Sequence, residues 1–314
     1  MACSDPIPSL RSALRAGVFS EPSPMTGSPS DVDTLLGILD LEPLEINLFR
    51  GRTVTPDGGR VFGGQVVAQA LVAARRTVEA ERVTHSLHGY FLLGGDPRVP
   101  IIYDVDRIRD GRSFTTRRVV AIQHGQAIFS MAVSFQVVEE GLHHQGAMPD
   151  VPAPEDLPSD DAWRDKLMAR FPAAAKRDWM ALRPLEVKPT SLDPAYLGAP
   201  GARPSMWLRT RGPLPDDLPT HQAVLAYASD LALLQAALLP HGKSVFDRDM
   251  QVASLDHALW FHRPFRADDW LLYTQESPTA AGARGFCRGE IFTRDGTLVA
   301  SAAQEGLMRP VSPR

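Results

Sequence analysis

Residues 221–239 read HQAVLAYASDLALLQAALL, and in the middle of this apolar run stands one carboxylate, Asp230. The apolar side chains go all round a helical wheel, which is the pattern of a helix enclosed by other structure. At ~1.5 Å per residue the run spans roughly 28 Å, long enough to cross a bilayer. Asp230, flanked by Gln222 and Gln235, argues for a protein core instead. A carboxylate in such a place must be paired, hydrogen-bonded or protonated, because an isolated buried charge costs several kcal/mol or more. Supplied with partners, it has the makings of a general base whose pKa is lifted toward neutrality by burial.

Other arrangements of reactive residues fail on inspection. Ala237, followed after four residues by Gly242-Lys243-Ser244, imitates a phosphate-binding loop, but alanine replaces the first glycine and a helix precedes it where a strand is required. There is no Gly-x-Ser-x-Gly elbow of a serine hydrolase. Asp256 and His257 are neighbours, and on a strand they point to opposite faces, so they make no simple dyad. His85, His88, His257 and His262 lie in strand-like stretches and read as core or rim residues. Nothing groups histidines with carboxylates at metal-ligand spacing, so neither a metal nor another cofactor is expected.

The elements that must position Asp230 come in two similar sets. After a short helix over 31–41 and an alternating strand over 43–49, Phe62-Gly63-Gly64-Gln65 opens a second all-round apolar helix that ends near Val78. Period-two stretches follow from 84 to 138, with Asp110-Gly111 and His124-Gly125 where hairpin turns belong. Prolines at 149, 152, 154 and 158 mark a linker, a short helix runs from Ser159 or Asp160 to Phe171, and then the pattern starts again. Pro184-Leu185-Glu186-Val187 repeats Pro43-Leu44-Glu45-Ile46, and an extra strand over 205–212 precedes the central helix. Ser86 and Gln136 stand fifty positions apart, and so do Ser254 and Gln304. Gly63-Gly64-Gln65 falls near Ala228-Ser229-Asp230, so only the second copy carries the carboxylate and Gln65 stands near its place in the first. The division expected is a disordered tail (1–30), a first domain (31–140), a linker with a short helix (141–180) and a second domain (181–310). One long helix followed by antiparallel strands suggests a curved sheet wrapped round the helix, an α+β fold, with the two sheets side by side.

Composition narrows the setting. The 314 residues, 44% hydrophobic and 22% charged, describe a soluble globular chain, and a net charge of −4 gives no sign of nucleic-acid binding. Cys3 and Cys287 are too few for a disulfide framework, which points to a reducing cytoplasm. The first 30 or so residues lack the apolar core of a signal peptide, and Met25 is an alternative natural start. Neither membrane insertion nor a peroxisomal C-terminus is expected.

Several of these stretches together resemble the acyl-CoA thioesterase II family, with its double hot-dog fold. They are Phe62-Gly63-Gly64-Gln65, His85-Ser86-Leu87-His88, Arg112-Ser113-Phe114, Ala226-Tyr227-Ala228-Ser229-Asp230, Ser254-Leu255-Asp256-His257, Trp260-Phe261-His262-Arg263-Pro264-Phe265 and Gln304-Glu305-Gly306-Leu307-Met308-Arg309. The match runs over about residues 35–310. It implies hydrolysis of acyl-CoA by a water held among an aspartate, a hydroxyl residue and a glutamine, which fall on Asp230, Ser254 and Gln304. Serine stands where relatives often have threonine, and the hydroxyl is kept. Backbone N–H groups at Gly63-Gly64 are the expected oxyanion donors, with Gln65 beside them as a substrate contact. A homodimer or higher homo-oligomer is the expected assembly. Two other readings stand beside this one. One is a hot-dog hydratase or dehydratase, which wants a His–carboxylate pair where Gln235 stands five residues after Asp230. The other is a non-catalytic acyl-CoA-binding module.

Overall fold

The computed structural model describes residues 31–53, 59–170, 184–193, 198–199 and 201–311. The expected tail over 1–30, Met25 within it, lies outside these residues.

Both sets of strands join one antiparallel sheet of 13 strands. The first set comprises α1 (Asp31–Leu39), β1 (Glu42–Glu45), β2 (Leu48–Gly51), α2 (Gly63–Arg75), β3 (Arg82–Phe91), β4 (Ile101–Asp110), β5 (Phe114–Gln123) and β6 (Gln126–Val137). The chain continues through α3 (Asp160–Arg170), β7 (Leu185–Pro189), β8 (Ser205–Thr210), α4 (Leu218–Ser229), the single-turn α5 (Gln235–Leu238) and a 3-10 turn (Leu239–His241). It ends with β9 (Met250–Ser254), β10 (Asp256–Phe261), β11 (Leu271–Ala281), β12 (Arg284–Thr293) and β13 (Leu298–Pro310). The strand order is β1-β2-β4-β5-β6-β3-β10-β13-β12-β11-β8-β7, with β9 also on β13. Read inward from either edge, each half has the same connectivity, and the halves meet where β3 and β10 pair, Ala258 opposite His88. Hairpin chemistry is as expected at His124-Gly125, where φ values of 50° and 73° give both central residues the left-handed twist a two-residue hairpin demands.

Three expected elements take a different form. Residues 43–49 make a hairpin instead of one strand: β1 turns at Ile46-Asn47 and pairs with β2, Pro43 opposite Phe49. Their alternation marks no buried face, since Leu44 and Ile46 are exposed at the sheet edge. The strand-like stretch VASLDHALWFHRPF, residues 252–265, is broken at Leu255. Ser254 lies opposite Gly306 and Ala258 opposite Ala303, so one extra residue is accommodated on the β9–β10 side, which is a β-bulge.

The third difference is the central helix, which does not run unbroken through 221–239. It starts earlier, with Asp217 accepting from Thr220 N at 2.9 Å as N-cap, and stops at Ser229, leaving Asp230 as C-cap. The Ser229 hydroxyl bonds back to the Ala226 carbonyl at 3.0 Å, competing with the helical ladder. Past it the backbone bonds become i−3, from Leu231 to Ala228 and from Gln235 to Ala232. The apolar pattern runs through the break because both pieces are buried: α4 against α2, β3 and β10, and α5 against β11 and β12. Asp230 therefore sits at a bend between two pieces.

The proline-rich stretch after β6 is laid against the second half of the sheet. Trp207, Trp270, Leu272 and Phe292 form a separate apolar cluster, capped by Met148, Val151 and Leu157. Trp207 Nε1 donates to the Pro152 carbonyl at 2.9 Å and Lys188 Nζ to that of Pro154 at 2.8 Å. Trp207→Phe keeps most of the apolar contact and removes the first bond. A stability loss of about 1 kcal/mol in denaturant titration is the expected outcome, with faster proteolysis within 142–158 as an independent readout.

Candidate active site

Helix α2 begins without a side-chain cap. Phe62 stands at the N-cap position, where Ser, Thr, Asp or Asn would serve, and it offers no side-chain acceptor. Its backbone carbonyl takes the N–H groups of Gln65 and Val66. The carboxylate of Asp230, from the other half of the chain, faces this helix start, and the Gly64 N–H helps to hold it ionised. The approach requires both glycines. A Cβ on Gly63 would lie 2.5 Å from Asp230 Oδ2, and one on Gly64 would overlap the Tyr227 carbonyl oxygen.

Two strands of the second half reach the other carboxylate oxygen. Gln304 Nε2 donates to Asp230 Oδ1 at 2.6 Å and to Ser254 Oγ at 2.8 Å, while the Ser254 hydroxyl donates to Asp230 Oδ1 at 3.3 Å. Ser254 is the last residue of β9, just before the bulge, and Gln304 faces inward on β13 with 1% exposure. Beneath them Gly306 has no room for a Cβ because it would overlap the Leu234 side chain. The bulge turns the strand next to this cluster, and Asp256 fastens it by accepting Glu305 N–H at 2.6 Å. The structure thus brings together Asp230, Ser254, Gln304, Gly63 and Gly64.

Burial raises the Asp230 carboxyl from its ordinary 3.8 to about 6, and the donors Gln304, Ser254 and Gly64 hold it from rising further. A helix N-terminus also favours the ionised form. Desolvation outweighs all of these together. Gln304 Oε1 is buried and has no hydrogen-bond partner in the protein, so one strong acceptor beside the carboxylate remains unused.

The Gly64 N–H, expected as an oxyanion donor, lies beside the Asp230 carboxylate at the start of α2. Gln65 turns away and donates to the Arg52 carbonyl at 3.1 Å. The first half rebuilds no such cluster from Ser86 and Gln136. Gln136 pairs with Val83 and Phe114, and strand alternation puts it on the face opposite the buried Phe135. The missing cap on α2 was the overlooked signal, because a buried helix start without a local acceptor must find one elsewhere.

The histidines lie apart from the carboxylate. His85 and His262 bond the hydroxyls of Ser134 and Ser301, His88 packs edge-on against Trp260, and His257 bonds Ser229 Oγ at 2.8 Å. Among the described residues no group of three or more His, Cys, Asp or Glu side chains is arranged to hold a metal, and no helix is long and apolar enough to cross a membrane. A cleft of about 300 Å³ lined by Leu36, Leu71, Val72, Arg75, Pro219 and Ala223 opens at the far end of the α2–α4 pair, away from Asp230.

A tandem, mirrored pair of helix-and-sheet units with a polar cluster where the two helices meet defines a double hot-dog protein. A protein described as having the hot-dog fold, from Alicyclobacillus acidocaldarius, shares it with a TM-score of 0.68 at 21% identity, covering 90% of this chain and 99% of its own. The sequence matches the acyl-CoA thioesterase family over residues 175–307 and the acyl-CoA thioesterase N-terminal domain over 52–136. It is 42% identical over 282 residues to acyl-CoA thioesterase 2 of Haemophilus influenzae, covering 89% of this chain and 99% of that one. An acyl-CoA thioesterase II structure from Mycobacterium marinum superposes with a TM-score of 0.74 at 46% identity, over 88% of this chain and 99% of its own. The chain belongs to the acyl-CoA thioesterase II family and is a thioester hydrolase.

Proposed function

We propose that the protein hydrolyses fatty acyl-CoA to free fatty acid and CoA by direct attack of water, with Asp230 as the general base. One observation carries this reading: a desolvated carboxylate, raised to about 6, accepts at one oxygen, Oδ1, from both a hydroxyl and an amide on two strands. Such a group is ionised at neutral pH yet basic enough to take a proton from water. Ser254 and Gln304 hold the nucleophile, and the free Oε1 of Gln304 accepts its second hydrogen. As the water oxygen bonds to the thioester carbon, one proton passes to Asp230. Collapse of the tetrahedral intermediate then breaks the C–S bond, and the proton leaves with the CoA thiol. The three residues lie within the stretch 181–310, and the first domain supplies the amide that receives the carboxylate.

The hydratase reading lacks its histidine. His257 is pushed down to about 4 by burial and bonds Ser229 rather than Asp230.

The test is release of free thiol from acyl-CoAs of increasing chain length, by the native protein and by Asp230→Asn. Hydrolysis by the native protein and its collapse in the variant are expected. Undiminished turnover in Asp230→Asn defeats the assignment of the base, and failure to cleave any acyl-CoA defeats the reading as a whole.

A further inference from the structure

The carboxylate of Asp230 is held in front by Ser254, Gln304 and Gly64, but the peptide that carries it is held from behind. Ser229, one residue earlier and fully buried, is tied twice: Tyr273 Oη donates to its carbonyl at 3.0 Å, and its side chain meets His257 Nε2 at 2.8 Å. The direction of the second bond follows from proton counting. A serine hydroxyl has one hydrogen, and this one goes to the Ala226 carbonyl at 3.0 Å. With the hydroxyl hydrogen on that carbonyl the imidazole donates from Nε2, the arrangement that satisfies both contacts. The other tautomer would leave the carbonyl contact without a hydrogen and an Nδ1–H buried without an acceptor. The Nε2–H form leaves Nδ1 as a bare acceptor, and it is buried with no partner. An unpartnered buried acceptor destabilises a fold, and an apolar side chain of similar size would avoid that cost. The histidine at this position offsets that cost with what an apolar side chain cannot supply, the Nε2–H bond to Ser229.

His257 is also well placed to coordinate the two sides of the cluster. It stands on β10, two residues past the bulge that follows Ser254, and β10 pairs with β13, which carries Gln304. A shift of α4 relative to this strand would separate Asp230 from both partners at once. We infer that His257, acting through Ser229, is a positioning residue that holds the Asp230 turn in register with Ser254 and Gln304. This rests on the reading of Asp230 as the base.

The experiment is steady-state thiol release by His257→Leu, His257→Gln, Ser229→Ala and the double variant His257→Leu/Ser229→Ala, with Asp230→Asn alongside. Misplacing a reacting group by about 1 Å costs about 10- to 100-fold in rate, so kcat of His257→Leu is expected to fall by that factor with KM within about threefold of native. Gln, whose side-chain amide can donate in place of Nε2, is expected to recover most of the loss. Ser229→Ala is expected to match His257→Leu, and the double variant to be no worse than either. The inference is overturned if folded His257→Leu keeps kcat within about twofold of native, if Gln is as impaired as Leu, or if the two losses multiply. Should His257→Leu not fold, Ser229→Ala decides by the same criterion. Collapse of activity in Asp230→Asn with His257→Leu unaffected sinks this inference alone, whereas survival of activity in Asp230→Asn sinks the assignment of the base.

Discussion

Asp230→Asn is expected to lower kcat by about 10³-fold while leaving KM within a few-fold, the signature of a group that acts on the transition state. The native enzyme should lose activity as pH falls through about 6, because the carboxyl raised to that value becomes protonated and cannot take a proton from water. Whatever residual rate the variant retains should lack this acidic limb. Stability carries the opposite sign. The folded carboxyl titrates near 6 and the unfolded one near 3.8, so between these values the unfolded chain releases its proton first and the fold is weakened as pH rises. The full effect is at most about 3 kcal/mol, reached above the folded pKa. Denaturant titrations of both proteins from pH 4 to 8 should show the native protein losing ground to Asp230→Asn across that window and running parallel above it. A constant difference at every pH would show that the carboxyl is not desolvated.

Gly64→Ala is expected to damage fold and activity together. The new methyl group would overlap the Tyr227 carbonyl oxygen, and main chain cannot swing aside as a side-chain end can. Overpacking of this kind costs about 1–3 kcal/mol. The helices must part to relieve it, which pulls the Gly64 N–H away from Asp230 and lowers kcat by about 100-fold. Gly63→Ala should separate the two effects. Its methyl group meets Asp230 Oδ2 and the Phe91 ring, both movable side-chain atoms, so activity should fall further than stability does. Paired thermal melts and thiol-release assays on the two variants check this, and equal stability losses would contradict it.

Much of this arrangement was legible in residue order. The carboxylate in an apolar run stood out by itself and the repeated strand pattern paired the halves, while Ser254 and Gln304 were singled out by the resemblance to the acyl-CoA thioesterase II family and not by their spacing. What escaped has physical causes. Periodicity reports burial and not continuity, so a helix that bends at Ser229 into a second buried piece reads as unbroken. The bulge after Ser254 needs one surplus residue against β13, a fact about two strands that neither contains by itself. The hairpin at Ile46-Asn47 lacks the glycine that usually announces such a turn. The fifty-residue spacing in the first half misled, since Ser86 and Gln136 keep the interval but not the face. The partner of Gly64 was invisible because it lies 166 positions away in the other unit.

That cross-unit bond carries a consequence for how a duplicated gene can diverge. On the proposed mechanism the carboxylate comes from one copy and the helix start that faces it from the other, so neither copy expressed alone is expected to turn over, and mixing the separated pieces would have to rebuild the β3–β10 seam first. On that mechanism a copy without the acid still has a part to play, as the anvil against which the other works. Mutational tolerance should therefore be lopsided: generous at Gln136, and strict at Gly63 and Gly64, although all three lie in the half that contributes no polar side chain to the cluster.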